Sequence, residues 1–520
     1  MLRIPSVPKG EPVTDNRVLG GFENTTFCRE PPVFADYAVT LNGCPAPLHA
    51  ARVSAMPYNT TWPDRGCQRP LDQTELAPFL SFEADEPVTV RVTLDHAPGD
   101  VVVRPLSEGI VPVIDGAAVT FTLTHPGQYT VEADGYHRAL HIFANPVRDW
   151  GIDPDDPDVL YYGPGVHFAG GVLLKSGQTV YVDRDAVVYG AFAALGQRDV
   201  RICGYGIIDG SWEHRATGHT FYLTCRDRIL HAQDEAGLLR FLYTQNTLWG
   251  NVRFLNCENV KLEGVTLRDS ASFSVIPGGC RHVSIDNVKT VGMWRYNSDG
   301  IDIINSADVT VKNCFLRDFD DCMVIKGIMG FDALNNEDIL VENCVIWCDW
   351  GRALEIGAET CAPEYRNITF RDCDVIHGAH VNLDLQHHNH ALLHDILFED
   401  IRVEYSRHFR PSVYQRDMEA PYDPPAEFEH PVPFGIFIYN SGLFCKDYRS
   451  GSVRDVTFRD IRMLTDPGVP QPRPAFRGLD DAHDIRGVRV ENLTLNGVKL
   501  STPEEAKLET NEFVHGLTVE

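Results

Sequence analysis

A repeat constrains this chain more than any other feature. Beyond residue 150 a unit of the form Val/Ile-x-Val/Ile/Phe-x-Asn/Asp, usually followed by a second apolar strand, keeps returning. Its polar corner falls at Asn287, Asn313, Asn343, Asp372, Asp400, Asp460 and Asn492. The gaps are 26, 30, 29, 28, 60 and 32 residues, the 60 fitting two coils with an insertion. A period of roughly 20–50 residues marks a solenoid, an array or a propeller. Each unit alternates apolar residues with period two and lacks a helical period. The Leu-x-x-Leu-x-Leu frame of leucine-rich repeats is absent, and a propeller blade needs about four strands in ~40 residues. A parallel β-helix is left, its coils ~4.8 Å apart and each strand paired with its equivalents above and below.

The expected fold class is therefore all-β: a right-handed parallel β-helix over residues 148–520, preceded by a small antiparallel β-sandwich domain over residues 31–147. Val88-Thr89-Val90-Arg91-Val92-Thr93-Leu94 and Val119-Thr120-Phe121-Thr122-Leu123 alternate with period two, and Pro126-Gly127 turns the chain into Tyr129-Thr130-Val131. Residues 1–30 have little pattern and read as an N-terminal extension. The Asp- and Pro-rich run at 149–158 reads as a linker. Two segments break the rhythm of the repeat and read as insertions. Residues 211–250 are helix-prone and carry Trp212 and Trp249; residues 404–435 are Pro-rich and aromatic. Insertions of this length commonly wall the binding side of a repeat protein.

Composition narrows the class of function. The net charge of −27 argues against nucleic acid and anionic membranes as partners, and it makes a polyanionic substrate awkward. No stretch approaches the ~18 consecutive apolar residues of a membrane helix. The N-terminus lacks a basic segment followed by an apolar one, so a cytoplasmic location is expected. The 14 cysteines show no Cys-x-x-Cys pair and no zinc-like spacing. Cys314, Cys344 and Cys373 each follow an Asn or Asp at the same point of the repeat, which predicts a stack of reduced, structural thiols.

The chemistry lies in one strand of the repeat, aligned through four coils. It reads Asp299-Gly300-Ile301-Asp302-Ile303, Asp321-Cys322-Met323-Val324-Ile325, Arg352-Ala353-Leu354-Glu355-Ile356 and Val381-Asn382-Leu383-Asp384-Leu385. The apolar columns must face the core, so Asp302, Val324, Glu355 and Asp384 are expected to face solvent. Lys326 and Gln386 follow further along the same face, and Asp299, Asp320, Asp321 and Arg352 sit at the strand entry. Carboxylates crowded at one coil spacing repel, so one of them should keep its proton near neutrality. Glycoside hydrolysis uses such a set: one acid protonates the leaving oxygen while another carboxylate activates water. A plain corner ladder of Asp and Asn would place one residue per coil, and the doubled Asp320-Asp321 departs from that.

Asn297-Ser298-Asp299-Gly300-Ile301-Asp302, followed 21 residues after Asp299 by Asp320-Asp321-Cys322, resembles the polygalacturonase family of glycoside hydrolases, family 28. Val324-Ile325-Lys326-Gly327 and Gly351-Arg352-Ala353-Leu354-Glu355-Ile356-Gly357-Ala358-Glu359 are similar to its bacterial members. The resemblance implies a right-handed β-helix, Asp320 as general acid, Asp299 and Asp321 holding the attacking water, and an inverting reaction. Two departures stand out. Arg352 replaces the histidine of the family's Gly-His-Gly, and the family's Arg-Ile-Lys, which grips a galacturonate carboxylate, has no counterpart near His380–Leu385. Asp384 there would repel a uronate and suit a neutral sugar.

Tyr161-Tyr162-Gly163-Pro164-Gly165-Val166, Val345-Ile346-Trp347-Cys348 and the preceding sandwich are similar to the dextranase and isopullulanase family, family 49, which implies an α-glucan. Trp294, Trp347 and Trp350 are candidates for stacking on sugar rings. The expectation is thus an inverting O-glycosidase of a neutral oligo- or polysaccharide, exo-acting on short sugars. Asp299, Asp320 and Asp321 are its catalytic residues, and Asp302, Lys326, Arg352, Glu355 and Asp384 bind substrate. No cofactor and no metal is expected, and a homo-oligomer is left open. The alternatives are a non-catalytic carbohydrate-binding scaffold and a polysaccharide lyase, which would need calcium and a basic group for a uronate.

Overall fold

A computed structural model describes residues 1–8, 37–55, 73–211, 250–413, 421–440 and 447–520. The insertion expected at 211–250 and most of the N-terminal extension lie outside the described residues. The described residues between Val159 and Val519 wind into a right-handed parallel β-helix whose coils present three strand faces in a fixed order. One coil shows the plan: Ile301–Ile304 on the first face, Ala307–Lys312 on the second, Phe315–Asp318 on the third. Met323–Gly327 then opens the next coil directly above the first of these, in parallel register.

The corners explain why these residues form this fold. Asn287, Asn313, Asn343, Asp372, Asp400, Asp460 and Asn492 all sit at φ between 51° and 56°. Among residues with a Cβ, Asn and Asp enter this left-handed region at least cost. Their side chains also bond along the stack: Asn343 Nδ2 donates to Asn313 Oδ1 at 2.8 Å, and Asn313 Nδ2 to Asp286 Oδ1 at 2.7 Å. A second ladder runs through the first part of the second-face strands, with Asn259, Asp308, Asp338, Asn367 and Asp395 again left-handed. Between corners, apolar columns fill the interior. Ile301, Met323, Leu354, Leu383 and Phe434 are in register and fully buried, each contributing about 1.5–3 kcal/mol by leaving water. Cys314, Cys344 and Cys373 are buried one above another beside the corner ladder, none in a disulfide.

The N-terminal region is a two-sheet β-domain around one core that includes Val90, Val119, Leu80 and Ile142. Its pairing is antiparallel except between Thr74–Ala84 and Leu140–Asn145, which run parallel. Leu2–Arg3, expected in a patternless extension, pairs with Glu83–Ala84; a two-residue strand is too short to show a period. The linker is packed rather than free: Trp150 lies under the Arg148 guanidinium at 4.3 Å and edge-on to Tyr205 at 5.0 Å. The insertion expected at 404–435 is bounded more narrowly, since Arg402–Tyr405 and Val432–Ile438 are regular strands of the third and first faces. Its described part packs Phe409 against Phe428 and His430.

The sandwich docks on the third face. Phe79, Tyr136 and Phe143 meet the outward side chains Val291, Phe315, Trp347 and Ile376, so these apolar residues have a partner outside the helix. A buried polar network crosses the same junction: Arg104 pairs with Glu132 at 3.0 Å and with Glu404, and Glu132 also pairs with His377. Arg317 lies 3.9 Å over the Trp347 ring and donates to His141 Nε2 at 2.8 Å. With the third face covered by the sandwich, the chemistry-bearing side chains are left to the first.

Candidate active site

The acids gather where the chain passes from the third face to the first. Gly300 N donates to Asp321 O at 2.9 Å, and Cys322 N to Arg352 O at 2.8 Å. Asp299, Asp321 and Arg352 therefore stack on three consecutive coils, as the aligned column predicts. Two glycines permit the approach. A Cβ on Gly300 would run into the Cys322 carbonyl and the Asp318 carboxylate, and one on Gly351 into Asp320 and the Asp321 carboxylate.

Lys326 organises the cluster. Its Nζ lies 3.0 Å from Asp299 Oδ2, 3.2 Å from Asp321 Oδ2, 3.5 Å from Asp302 Oδ1 and 3.7 Å from Glu359 Oε2. It also sits 4.6 Å over the Phe273 ring. Burial disfavours its charge, but the surrounding carboxylates, Glu359 foremost, more than compensate and hold it well above the ordinary lysine value. The Lys326 side chain is only 4% exposed and is turned into the acid cluster. The exposure expected of the column is corrected. Asp302 and Asp384 are fully buried and Glu355 is 1% exposed. They point away from the helix core, yet they are covered, and period-two alternation gives direction without saying what packs on top.

Adjacent aspartates have opposite surroundings. Asp320 has Asn297 Nδ2 at 3.5 Å, and no cation reaches ion-pair distance of it among the described residues. Burial first, then the charges of Asp299 and Asp321, push it well above the usual carboxylate range. Asp321 is also buried, but Lys326 and Arg352 outweigh the desolvation and hold it below its ordinary value. Arg352 N donates to Asp321 Oδ1 at 3.1 Å. Burial raises Glu355 and Asp299 well above the carboxylate range and Asp302 to about 8. Seven acids, Asp299, Asp302, Asp320, Asp321, Glu355, Glu359 and Asp384, share this site with Lys326, Arg352 and Arg253, so several must carry protons.

Arg352 is the most exposed charged group here, its side chain 28% accessible. Its Nε lies 3.6 Å from Asp384 Oδ2, and the Gln386 amide oxygen, suitably oriented, accepts from Nη2 at 2.9 Å and from Nε at 3.2 Å. Burial lifts Asp384 to about 7 against the opposing pull of Arg352. His388 continues the row, 3.2 Å from Gln386 and tilted against Tyr439 at 4.6 Å. Of the tryptophans proposed to stack on sugar, Trp294 and Trp347 are buried, with their Nε1 donating to Asp269 and Asp349. Trp350 alone is half-buried, stacked on Phe319 at 5.4 Å beside Tyr296 and His380.

Two site residues escape the column reading. Glu359 faces Lys326 because the register slips between Ile325 and Gly327, so Gly327 pairs with Thr360 instead of with the residue period two would assign. Arg253 enters from two coils below Asp302. Its guanidinium donates to Ser274 O at 3.1 Å, and its charge acts on Asp302 and Asp299.

Residues 243–405, which hold all of these acids, match Glycosyl hydrolases family 28. A dextranase of Arthrobacter sp. (strain CB-8) is 25% identical over 186 residues, 32% of this chain and 26% of the relative. The chain thus spans about a quarter of the length of that curated relative. Dex49A from Penicillium minioluteum superposes with a TM-score of 0.67 at 13% identity, covering 99% of this chain and 98% of that one. A hyperthermoactive exopolygalacturonase from Thermotoga maritima superposes at 0.51 with 17% identity, over 69% of this chain and 84% of that one. At these identities the superpositions establish the fold: a β-helix carrying an N-terminal β-domain.

Proposed function

We propose that this chain is a glycoside hydrolase that cleaves an O-glycosidic bond of a neutral glycan with inversion. The observation that carries the reading is the contrast between Asp320 and Asp321. Glycoside hydrolysis needs one carboxylic acid that keeps its proton to give to the leaving oxygen and one carboxylate ready to take a proton from water. Asp320, buried beside like charges that outweigh the pull of Lys326 and Arg352, and with no ion-pair partner among the described residues, is the acid. Asp321, held ionised by Lys326 and Arg352, is the base, and Asp299 on the coil below helps to hold the water. Water attacks the anomeric carbon as the sugar–oxygen bond breaks; Asp321 takes the water's proton and Asp320 supplies one to the departing oxygen. Inversion follows because water, and not a carboxylate, forms the new bond.

Two observations support a neutral substrate. The exposed cation, Arg352, is already paired with Asp384, so a uronate carboxylate would meet a guanidinium in use and an acid behind it. The similarity to a dextranase, whose substrate by name is a glucan, points the same way. A calcium-dependent lyase fits less well, because Lys326 occupies the centre of the carboxylate cluster.

The test is a screen of the purified chain and of Asp320→Asn against α-linked gluco-, galacto-, rhamno- and galacturono-oligosaccharides. The product anomer is read by NMR, and endo or exo action by product length. Hydrolysis of a neutral substrate with inversion, lost in the variant, is the expected result. Cleavage of galacturonides alone would overturn the substrate class, and full activity of Asp320→Asn would overturn the acid.

A further inference from the structure

At the far edge of the first face, away from the strand entry where the aspartates lie, three side chains from three successive coils converge. Cys361 follows the strand Leu354–Thr360, His390 follows Val381–His387, and Asp447 precedes Ser452–Arg454 in the next coil. Leu354 pairs with Leu383, an offset of 29 residues that also separates Cys361 from His390, so these two hold equivalent corners one coil apart. One donor atom from each of the three residues lies within 4.8 Å of the others. Cys361 Sγ is 3.9 Å from Asp447 Oδ2, and His390 Nδ1 contacts the same oxygen. The backbone around them is fixed: Cys361 N donates to Gly327 O at 2.8 Å, and Asn389 Nδ2 donates to Asp447 O at 2.9 Å.

Arg449 occupies the same corner: its Nε donates to Asp447 Oδ1 at 2.8 Å, and its Nη2 lies 3.1 Å from Asp447 Oδ2 and 3.0 Å from His390 Nδ1. The guanidinium thus engages lone pairs that a metal would use, and nitrogen, carboxylate and thiolate can all be directed at a metal once it moves away. The Arg449 side chain is 64% exposed and can turn to solvent.

We propose that Cys361, His390 and Asp447 bind a divalent transition metal of the zinc type, distinct from the acid cluster. A soft thiolate, an imidazole and one carboxylate make a zinc donor set, with water in the fourth position. Coordination breaks the Cys361 S–H bond, forms the S–metal bond and releases the proton to solvent. The metal clamps three coils and anchors the end of the strand that carries Glu355 and Glu359. Sequence spacing conceals the site, since its ligands are separated by 29 and 57 residues, one per coil.

The experiment is a titration of the full chain, stripped with chelator, by Co²⁺ and then Zn²⁺. One equivalent of Co²⁺ should produce a thiolate-to-metal charge-transfer band that Zn²⁺ displaces, and Zn²⁺ should raise the thermal unfolding midpoint. Cys361→Ser should lose the band. Asp447→Asn should keep the band and weaken binding by at least about tenfold, whereas Arg449→Ala, which removes a competing cation, should tighten it several-fold. No band at millimolar Co²⁺, a band that persists in Cys361→Ser, or unchanged affinity in Asp447→Asn would each overturn the proposal.

Discussion

Arg352 and Asp384, contributed by neighbouring coils, face each other with Nε 3.6 Å from Oδ2. The pair decides which substrates the exposed guanidinium can serve. In Asp384→Asn the arginine keeps its place beside Gln386 but loses its carboxylate partner, so it is free to pair with an acidic sugar. The ratio of kcat/KM for galacturono- over gluco-oligosaccharides is expected to rise about tenfold, the worth of one charge-assisted contact. An unchanged ratio would mean that Arg352 does not read the charge of the sugar.

The pH profile should follow from the two adjacent aspartates. Asp321, held below its ordinary value, is ionised from mildly acidic pH upward, whereas Asp320, pushed well above the carboxylate range, keeps its proton across that interval. kcat/KM should therefore rise as Asp321 ionises, stay high, and fall only when Asp320 deprotonates. Lys326→Met removes the largest attraction that keeps Asp321 ionised, so the acidic limb should move to higher pH and kcat drop by about 10²–10⁴. An acidic limb that stays in place in the folded variant would show that Lys326 does not set the charge of the base.

The junction between the sandwich and the third face offers a stability test. Arg104 is the shared cation of buried Glu132 and Glu404, and Arg104→Met should cost about 3–5 kcal/mol by leaving them without it. Urea denaturation of that variant, compared with one in which both glutamates are also Gln, should show the loss largely recovered in the latter. Burial raises Glu404 from 4.5 to about 7 in the folded chain. The folded form thus holds a proton that the unfolded form releases, so Glu404's contribution is complete below 4.5 and is lost as pH rises towards 7. Glu404→Gln should flatten that decline, and a curve parallel to the parent between these values would contradict the assignment.

The corner ladder makes a fourth prediction. Asn343 sits at φ 52° and donates to Asn313 Oδ1 at 2.8 Å. Asn343→Ala should cost about 2 kcal/mol, combining left-handed strain with one lost hydrogen bond, and Asn343→Gly should cost less because the strain is relieved. Thermal midpoints would check the order; a glycine variant as unstable as the alanine one would place the cost in the hydrogen bond.

Legibility in the sequence followed the range of each interaction. The corners could be read because a left-handed residue restricts its own type, and Asn287 through Asn492 are all of the permitted kind. The column from Asp302 to Asp384 could be aligned because apolar alternation fixes the register one coil to the next. Burial of that column could not be read, since it depends on what packs outside it. Glu359 was hidden by a register slip, and the docking of Phe143 and Tyr136 on Trp347 required the relative placement of two sheets. Trp294 and Trp347 could not be assigned for a related reason: an indole serves a core or a sugar equally well until its neighbours are known.

Stacking has one more consequence. Asp299, Asp321 and Arg352 come from three successive coils, so the site is divided along its axis into steps of ~4.8 Å. A substitution can move a functional group by a fraction of a step, whereas gaining or losing a coil moves every group beyond it by a whole one. The length of the site is therefore an integer. A chain built this way changes the reach of its chemistry by counting turns, leaving the width across each turn to individual side chains.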